Sequence, residues 1–181
     1  MKPWKRLPQT TVDKISYRTV VTKTFEMPDG QTGQFGTIWP EGQVFVAVIA
    51  LTPERQVIVA RMFRVGPEQV MDELPGGYVD AGETVEAAGQ RELLEETGYR
   101  AGTVRYLGKN HKDAYMNATW HFVLATDCVY QPDTSHQAEA EEHIETQLIS
   151  IDQLIANARE DRMTDAVGVL IAYDELRALA N

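Results

Sequence analysis

The stretch from Gly77 to Tyr99 reads GYVDAGETVEAAGQRELLEETGY. Thr84 to Thr97 has the spacing of a helix, and Gly98 stands where a left-handed glycine would end it. Glu92, Glu95 and Glu96 fall at i, i+3 and i+4, so the three carboxylates share one face within about one turn. Like charges this close destabilise an isolated helix, and the ordinary fate of such a run is a solvated acidic face. Two features go beyond that. Glycines punctuate both ends, at Gly76-Gly77, Gly82 and Gly98, and Arg91 directly precedes the first glutamate, where it can brace a carboxylate. Clustered carboxylates without His or Cys suit hard, oxygen-seeking ions: Mg²⁺, Mn²⁺ or Ca²⁺. The alternating Asp/Asn pattern of a calcium-sensing loop is absent. Mg²⁺ typically combines one or two carboxylates with substrate phosphates, which points to a phosphorylated small molecule.

On the N-terminal side of this helix the chain reads as strands. Val12 to Met27 is rich in Val, Thr, Tyr and Phe and ends in the turn Pro28-Asp29-Gly30; Gln31 to Trp39 follows, so the two runs predict a β-hairpin. Val44 to Leu51 (VFVAVIAL) predicts a strand buried on both faces, and Gln56 to Phe63 returns as another. On the C-terminal side, Val104 to Leu107, Trp120 to Ala125 and Gln147 to Ile149 read as strands, Gln131 to Glu142 as a polar loop, and Ile151 to Arg159 and Asp165 to Ala180 as amphipathic helices. Strands in runs, one helix in the middle and two at the end, describe an α+β domain with a mixed sheet.

The 181 residues suit one ordinary domain with a small annex. A hydrophobic share of 43% and a charged share of 24% exclude disordered and collagen-like classes. No window approaches a membrane span of about 18 apolar residues, and Lys2, Lys5 and Arg6 lead into no apolar segment, so no secretory signal is expected. A single cysteine, Cys128, makes no disulfide within the chain and is expected to be a buried small hydrophobe in a reducing cytoplasm. The formal net charge of -10 repels nucleic-acid backbones and anionic membranes. A phosphorylated substrate then needs local Arg or Lys, or bound divalent cations.

The spacing of Gly77, five residues, Glu83, seven residues, Arg91-Glu92-Leu93, one residue, Glu95-Glu96, one residue, Gly98-Tyr99 resembles the complete signature of the Nudix hydrolases. Tyr99 stands where an aliphatic residue is usual. The resemblance implies an α/β/α sandwich with a mixed sheet, and cleavage of a nucleoside diphosphate linked to another group. It also implies Glu92 and Glu96 as principal metal ligands, Glu95 as a further one, and the main-chain carbonyl of Gly76 as an oxygen ligand. Glu83 and Arg91 would orient the site. The implied ion is Mg²⁺, with Mn²⁺ as the alternative.

More of the chain resembles the ADP-ribose and nucleoside-diphosphate-sugar pyrophosphatase branch. The run Val57 to Arg64 (VIVARMFR), followed by Glu73-Leu74-Pro75-Gly76-Gly77, looks like that branch's approach to the signature. Arg64 matches an arginine that reaches substrate phosphate, its alternative being a surface charge, and Glu73 is placed with it among the substrate-binding residues. Trp4, Pro28-Asp29-Gly30 and Phe35 match members whose N-terminal strands exchange across a dimer and whose aromatics stack on the nucleobase; their alternatives are a hydrophobic anchor for Trp4 and a strand core position for Phe35. A Pro-Gly usual in the loop before the later strand is missing from His111 to Asn117, which leaves the terminal sugar open, and Tyr115 lies roughly where dinucleoside-polyphosphate members carry a tyrosine.

Catalysis needs a base for water. The segment Ala138 to Glu145 (AEAEEHIE) matches the branch's acidic loop, with Glu142 on the loop glutamate as general base or ligand to a second metal, and Glu139 and Glu141 as competitors. The four histidines (111, 121, 136 and 143) have no metal spacing. The expected domains are an N-terminal strand region over residues 1–42, used in dimerisation, and a hydrolase domain over 43–181. The expected assembly is a cytoplasmic homodimer, built partly by the hairpin Val12 to Trp39, acting on a small nucleotide and neither nucleic acid nor membrane. The rivals are a dinucleoside-polyphosphate or nucleoside-triphosphate hydrolase and, in another class, a nucleotide-sugar sensor that has lost turnover; retention of Glu83, Glu92, Glu95 and Glu96 argues against the sensor.

Overall fold

The structure, a computed structural model, describes residues 1–132 and 143–180. It divides into two compact units, one of residues Met1–Val44 and His111–Thr119, the other of Phe45–Asn110 and Trp120–Asn181.

The first unit is an antiparallel sheet of β1 (Lys5–Ile15), β2 (Arg18–Glu26) and β3 (Thr32–Ile38), in that order. β2 and β3 form the hairpin predicted across Pro28-Asp29-Gly30, with Gly30 at a positive φ of 83° that its missing Cβ permits. A second turn, at Ser16-Tyr17, splits the single run expected over Val12 to Met27, and β1 begins well before Val12. Ser16 takes a φ of 57° without the Asn-Gly or Asp-Gly signal that usually marks such a turn. Pro8 sits in the register shift between Arg6 and Thr10 of this edge strand, where its lack of an N–H costs no ladder bond.

The second unit holds a seven-stranded mixed sheet. Its path runs β12 (Glu145–Ile149), β5 (Val57–Arg64), β4 (Val44–Leu51), β10 (Thr119–Thr126), β9 (Thr103–Asn110); β6 (Gln69–Glu73) pairs with β5 and β7 (Gly76–Tyr78) with β4. β8 (Tyr99–Arg100) and β11 (Val129–Tyr130) form a separate two-stranded pair. The predicted apolar run is β4 itself, and Val46 to Leu51 are at most 2% exposed. Alternation along it builds the layers. Val46, Val48 and Ala50 join the cluster that contains Ala88 and Leu93 of α1 (Val85–Thr97). Ala47, Ile49 and Leu51 join the cluster of Leu154, Val169 and Leu176 from α2 (Ile151–Arg159), α3 (Ala166–Ile171) and α4 (Tyr173–Ala180). The result is the α/β/α sandwich that the signature implied.

The last helix expected, Asp165 to Ala180, is two helices broken at Ala172. Neither Pro nor Gly marks the break. Val169, Ala172 and Leu176 all reach the same core, so packing and not a local breaker bends the chain here. Among the described residues no helix is long and apolar enough to cross a membrane.

Candidate active site

Helix α1 is well delimited. The Thr84 side chain accepts the Ala87 N–H at 3.2 Å, and Gly98, at φ 76°, donates its N–H to the Leu94 carbonyl. Its acids are badly placed for helix stability: Glu92, Glu95 and Glu96 lie in the C-terminal half, where the helix dipole opposes negative charge, and the last turn carries no basic residue. Arg91 compensates. Its Nη1 donates to Glu92 Oε1 at 2.7 Å and Glu95 Oε2 at 3.1 Å, its Nε and Nη2 donate to the two oxygens of Glu83 at 3.3 and 3.1 Å, and Nη2 also donates to the Tyr78 carbonyl at 2.9 Å. One guanidinium thus ties three signature carboxylates to the turn that precedes the helix. This pairing raises the Arg91 pKa and holds the Glu83 carboxyl below its usual value, whereas burial pushes the Glu92 carboxyl up against the pull of Arg91.

The two glycines before the helix are there for closeness. A Cβ on Gly76 would lie 2.2 Å from the Val46 carbonyl oxygen, and one on Gly77 would lie 2.6 Å from the Glu92 carboxylate. The Gly76 N–H donates to Glu96 Oε2 at 3.0 Å. Strand β7 therefore lies directly against the acidic face, with Glu92 and Glu96 both located by it. Glu92 is largely buried and Glu95 more open, at 13% and 41% side-chain exposure, so the face grades from protein to solvent.

This donor set fits a hard divalent cation: every side-chain donor is a carboxylate oxygen. Among the described residues no three acidic, His or Cys side chains converge tightly enough to enclose an ion by themselves.

Arg64 and Glu73 meet in the structure. Arg64 Nε donates to Glu73 Oε1 at 3.2 Å, and Glu73 is completely buried, its oxygens also taking the Thr164 N–H and Oγ1 at 3.0 Å. Glu73 is thus engaged by protein groups and shielded from solvent. Thr164 and the Tyr78 carbonyl were invisible to sequence reasoning: the first is 91 residues from its partner, and the second contributes only main chain.

In the first unit Trp4 and Phe35 also meet, their ring centroids 5.4 Å apart, with Phe25 at 6.4 and 6.1 Å from them; Trp4 stays 43% exposed. Tyr115 of this unit is exposed, its main chain bonded to Asp113 and Ile38. Of the histidines, His111 contacts the Ala118 carbonyl at 3.4 Å, His121 packs on Tyr106 with its pKa lowered by burial, and His143 is exposed. His136 and the candidate bases Glu139, Glu141 and Glu142 lie outside the described residues.

A profile of the NUDIX domain matches residues 42–168, well over half of the chain. The chain belongs to the Nudix hydrolase family. A relative from Streptomyces rubellomurinus, a CMP-5'-(N-acetyl-N-hydroxy-3-aminopropyl)phosphonate hydrolase, is 31% identical over 177 residues, covering 92% of this chain and 81% of that one. An ADP-ribose pyrophosphatase of Bacillus subtilis is 38% identical over 76 residues, 42% of this chain and 40% of that protein. The crystal structure of an ADP compounds hydrolase superposes with a TM-score of 0.76 at 21% identity, covering 96% of this chain and 97% of the other, and so shares the Nudix fold. The chain is thus a Nudix hydrolase related to ADP-ribose pyrophosphatases.

Proposed function

We propose that this Nudix hydrolase is a Mg²⁺-dependent pyrophosphohydrolase that cleaves the diphosphate of a nucleoside diphosphate sugar, ADP-ribose or a similar compound, to a nucleoside monophosphate and a sugar phosphate. The observation that carries the reading is the Arg91-braced acidic face lying against Gly76 and Gly77, which concentrates carboxylates beside main chain in an enzyme family of this fold. Glu92, Glu95, Glu96 and the Gly76 carbonyl would hold the cation, which when bound neutralises the diphosphate and polarises an oxygen, Mn²⁺ being an alternative to Mg²⁺. Arg64 binds a phosphate oxygen. Arg91 keeps Glu92 and Glu95 oriented, and Glu83 keeps Arg91 oriented. The Glu142 carboxylate takes a proton from the attacking water. The water oxygen forms a bond to one phosphorus in line, and the bond from that phosphorus to the bridging oxygen breaks. Trp4 and Phe35 stack on the base.

The alignment with the Streptomyces relative, which spans most of this chain, supports a second reading in which a nucleoside monophosphate is linked to a phosphonate. A panel of ADP-ribose, other nucleoside diphosphate sugars, a CMP-linked phosphonate, a dinucleoside polyphosphate and nucleoside triphosphates, incubated with Mg²⁺, separates them by chromatographic identification of the nucleotide product. Turnover of nucleoside triphosphates alone would refute the nucleotide-sugar reading, and binding without turnover of any compound would make the protein a sensor.

The working unit in this reading is a cytoplasmic homodimer built partly by the N-terminal strands. The support is β1, an edge strand exposed along almost its whole length, with Val12, Ile15 and Tyr17 more than 60% exposed beside or within it. Sedimentation at micromolar concentration tests it: a fully active 20.3 kDa species would rule the dimer out.

A further inference from the structure

We propose that Glu73 is a positioning residue for substrate binding, acting through Arg64 and locked in place by Thr164; the inference rests on the reading of Arg64 as a phosphate ligand. Glu73 is the last residue of β6 and is 0% exposed, while the Arg64 side chain it holds, at the end of β5, is 38% exposed. A buried carboxylate is costly unless its lone pairs are filled, and a well-packed apolar residue would serve stability as well. Here the lone pairs are filled by the Thr164 N–H, the Thr164 hydroxyl and Arg64 Nε. Burial and the neighbouring Asp165 carboxylate push the Glu73 pKa up, and Arg64 and Thr164 pull it down.

A second arginine–acid pair on the same two strands shows what is unusual. Arg61 and Asp72 are cross-strand partners, and Asp72 takes both Nε and Nη2 of Arg61, at 2.7 and 3.2 Å, with Asn157 completing the acid. That arginine is consumed by its partner. Arg64 meets Glu73 through Nε, which leaves the Nη1 and Nη2 fork to a planar or tetrahedral anion while fixing the plane of the guanidinium. The same short segment also sets the acidic face. Glu73 stands three residues before Gly76, which binds Glu96, and four before Gly77, which abuts Glu92. Residues 73–77 therefore act as a ruler between the arginine and the signature carboxylates. Thr164, in the connection from α2 to α3, clamps the ruler's first mark, and the Asp72 N–H, bonded to the Arg162 carbonyl, clamps the residue before it.

The test is a double-mutant cycle on the Mg²⁺-supplied full chain, using ADP-ribose or whichever panel member is cleaved fastest. Arg64→Ala should raise KM. Glu73→Gln should raise KM by about tenfold, the effect of one misplaced charge-assisted hydrogen bond, with a smaller change in kcat. In the Arg64→Ala background Glu73→Gln should add less than about twofold. Thr164→Val should shift KM in the same direction and Thr164→Ser should restore it. An equal KM effect of Glu73→Gln in both backgrounds, or a loss confined to kcat, would overturn the proposal. If Arg64→Ala raises KM and Glu73→Gln does not, positioning fails while the Arg64 role stands; if Arg64→Ala leaves KM unchanged, both fail. Should Glu73→Gln not fold, Thr164→Val in the two backgrounds decides by the same criterion.

Discussion

Replacing Gly77 by alanine separates catalysis from folding at a single atom. The new Cβ would sit 2.6 Å from Glu92 Cδ and Oε1 and 2.7 Å from Oε2. Ordinary contact begins near 3.4 Å, so the carboxylate must back away by about 0.8 Å. The group that yields is the end of a flexible side chain, and no backbone atom is among the closest neighbours. Backing away stretches the 2.7 Å bond from Arg91 Nη1 to Glu92 Oε1 beyond hydrogen-bond range. Stability changes little, because alanine's lower unfolded-state entropy offsets part of the lost bond; the net is within about 1 kcal/mol, or within about 4 °C in Tm. A misplacement near 1 Å at a reacting centre costs about 10²-fold in rate. The assay is steady-state phosphate release, coupled to a phosphatase that acts on the monoester products, with Mg²⁺ beside a thermal melt without it. Wild-type kcat in the Gly77→Ala protein would refute the role of Glu92's position, and a melt lowered by ten degrees or so would show that Gly77 serves the scaffold.

Gly76→Ala is the contrasting case: its Cβ would fall 2.2 Å from the Val46 oxygen and 2.8 Å from Ala47 Cα, both backbone, so a loss of about 1–3 kcal/mol should appear as a Tm several degrees lower. Glu96→Gln keeps an oxygen to accept the Gly76 N–H and removes one of the crowded charges, so turnover should vanish while the metal-free Tm stays level or rises; near-wild-type turnover would overturn the metal assignment. Glu142→Gln should lower kcat by about 10²–10⁴-fold with KM little changed, and a change in KM alone would move the base to Glu141 or Glu139. The Cys128 thiol, 1% exposed and pushed by burial up to about 11, should resist alkylation at pH 8 in the native protein and react once denatured; rapid native labelling would contradict its place in the core.

The parts of this molecule that could be read from its sequence are those governed by neighbours in the chain. The bounds of β4 follow from an unbroken apolar run, and those of α1 from a polar cap and a glycine. The i, i+3, i+4 spacing placed three carboxylates on one face, and adjacency suggested that Arg91 braces one of them. That it also reaches Glu83 and the Tyr78 carbonyl depends on how the preceding turn folds back, which no spacing encodes. Glu73 illustrates the limit. Its place beside Arg64 in a substrate-binding group was inferred from resemblance, but its complete burial and its bonds to Thr164 come from packing of β6 against a connection 91 residues on. The turn at Ser16 and the break at Ala172 lacked the residues that normally announce them; at Ala172 packing into the core supplies what local propensity does not.

Arg91 gives the acidic helix a resident counter-charge. Three signature glutamates are already neutralised in part by a side chain the protein makes for itself. The charge on this helix is therefore offset in part before any ion binds, unlike that of a zinc finger, whose chain stays unfolded until the metal arrives. Under the proposed reading, the cation is a consumable picked up with the substrate's phosphates and surrendered afterwards. A chelator should silence this enzyme without melting it, and added Mg²⁺ should restore it at once. The pool of free divalent ion, and not the rate of synthesis or refolding, would then set how many molecules are at work at any moment.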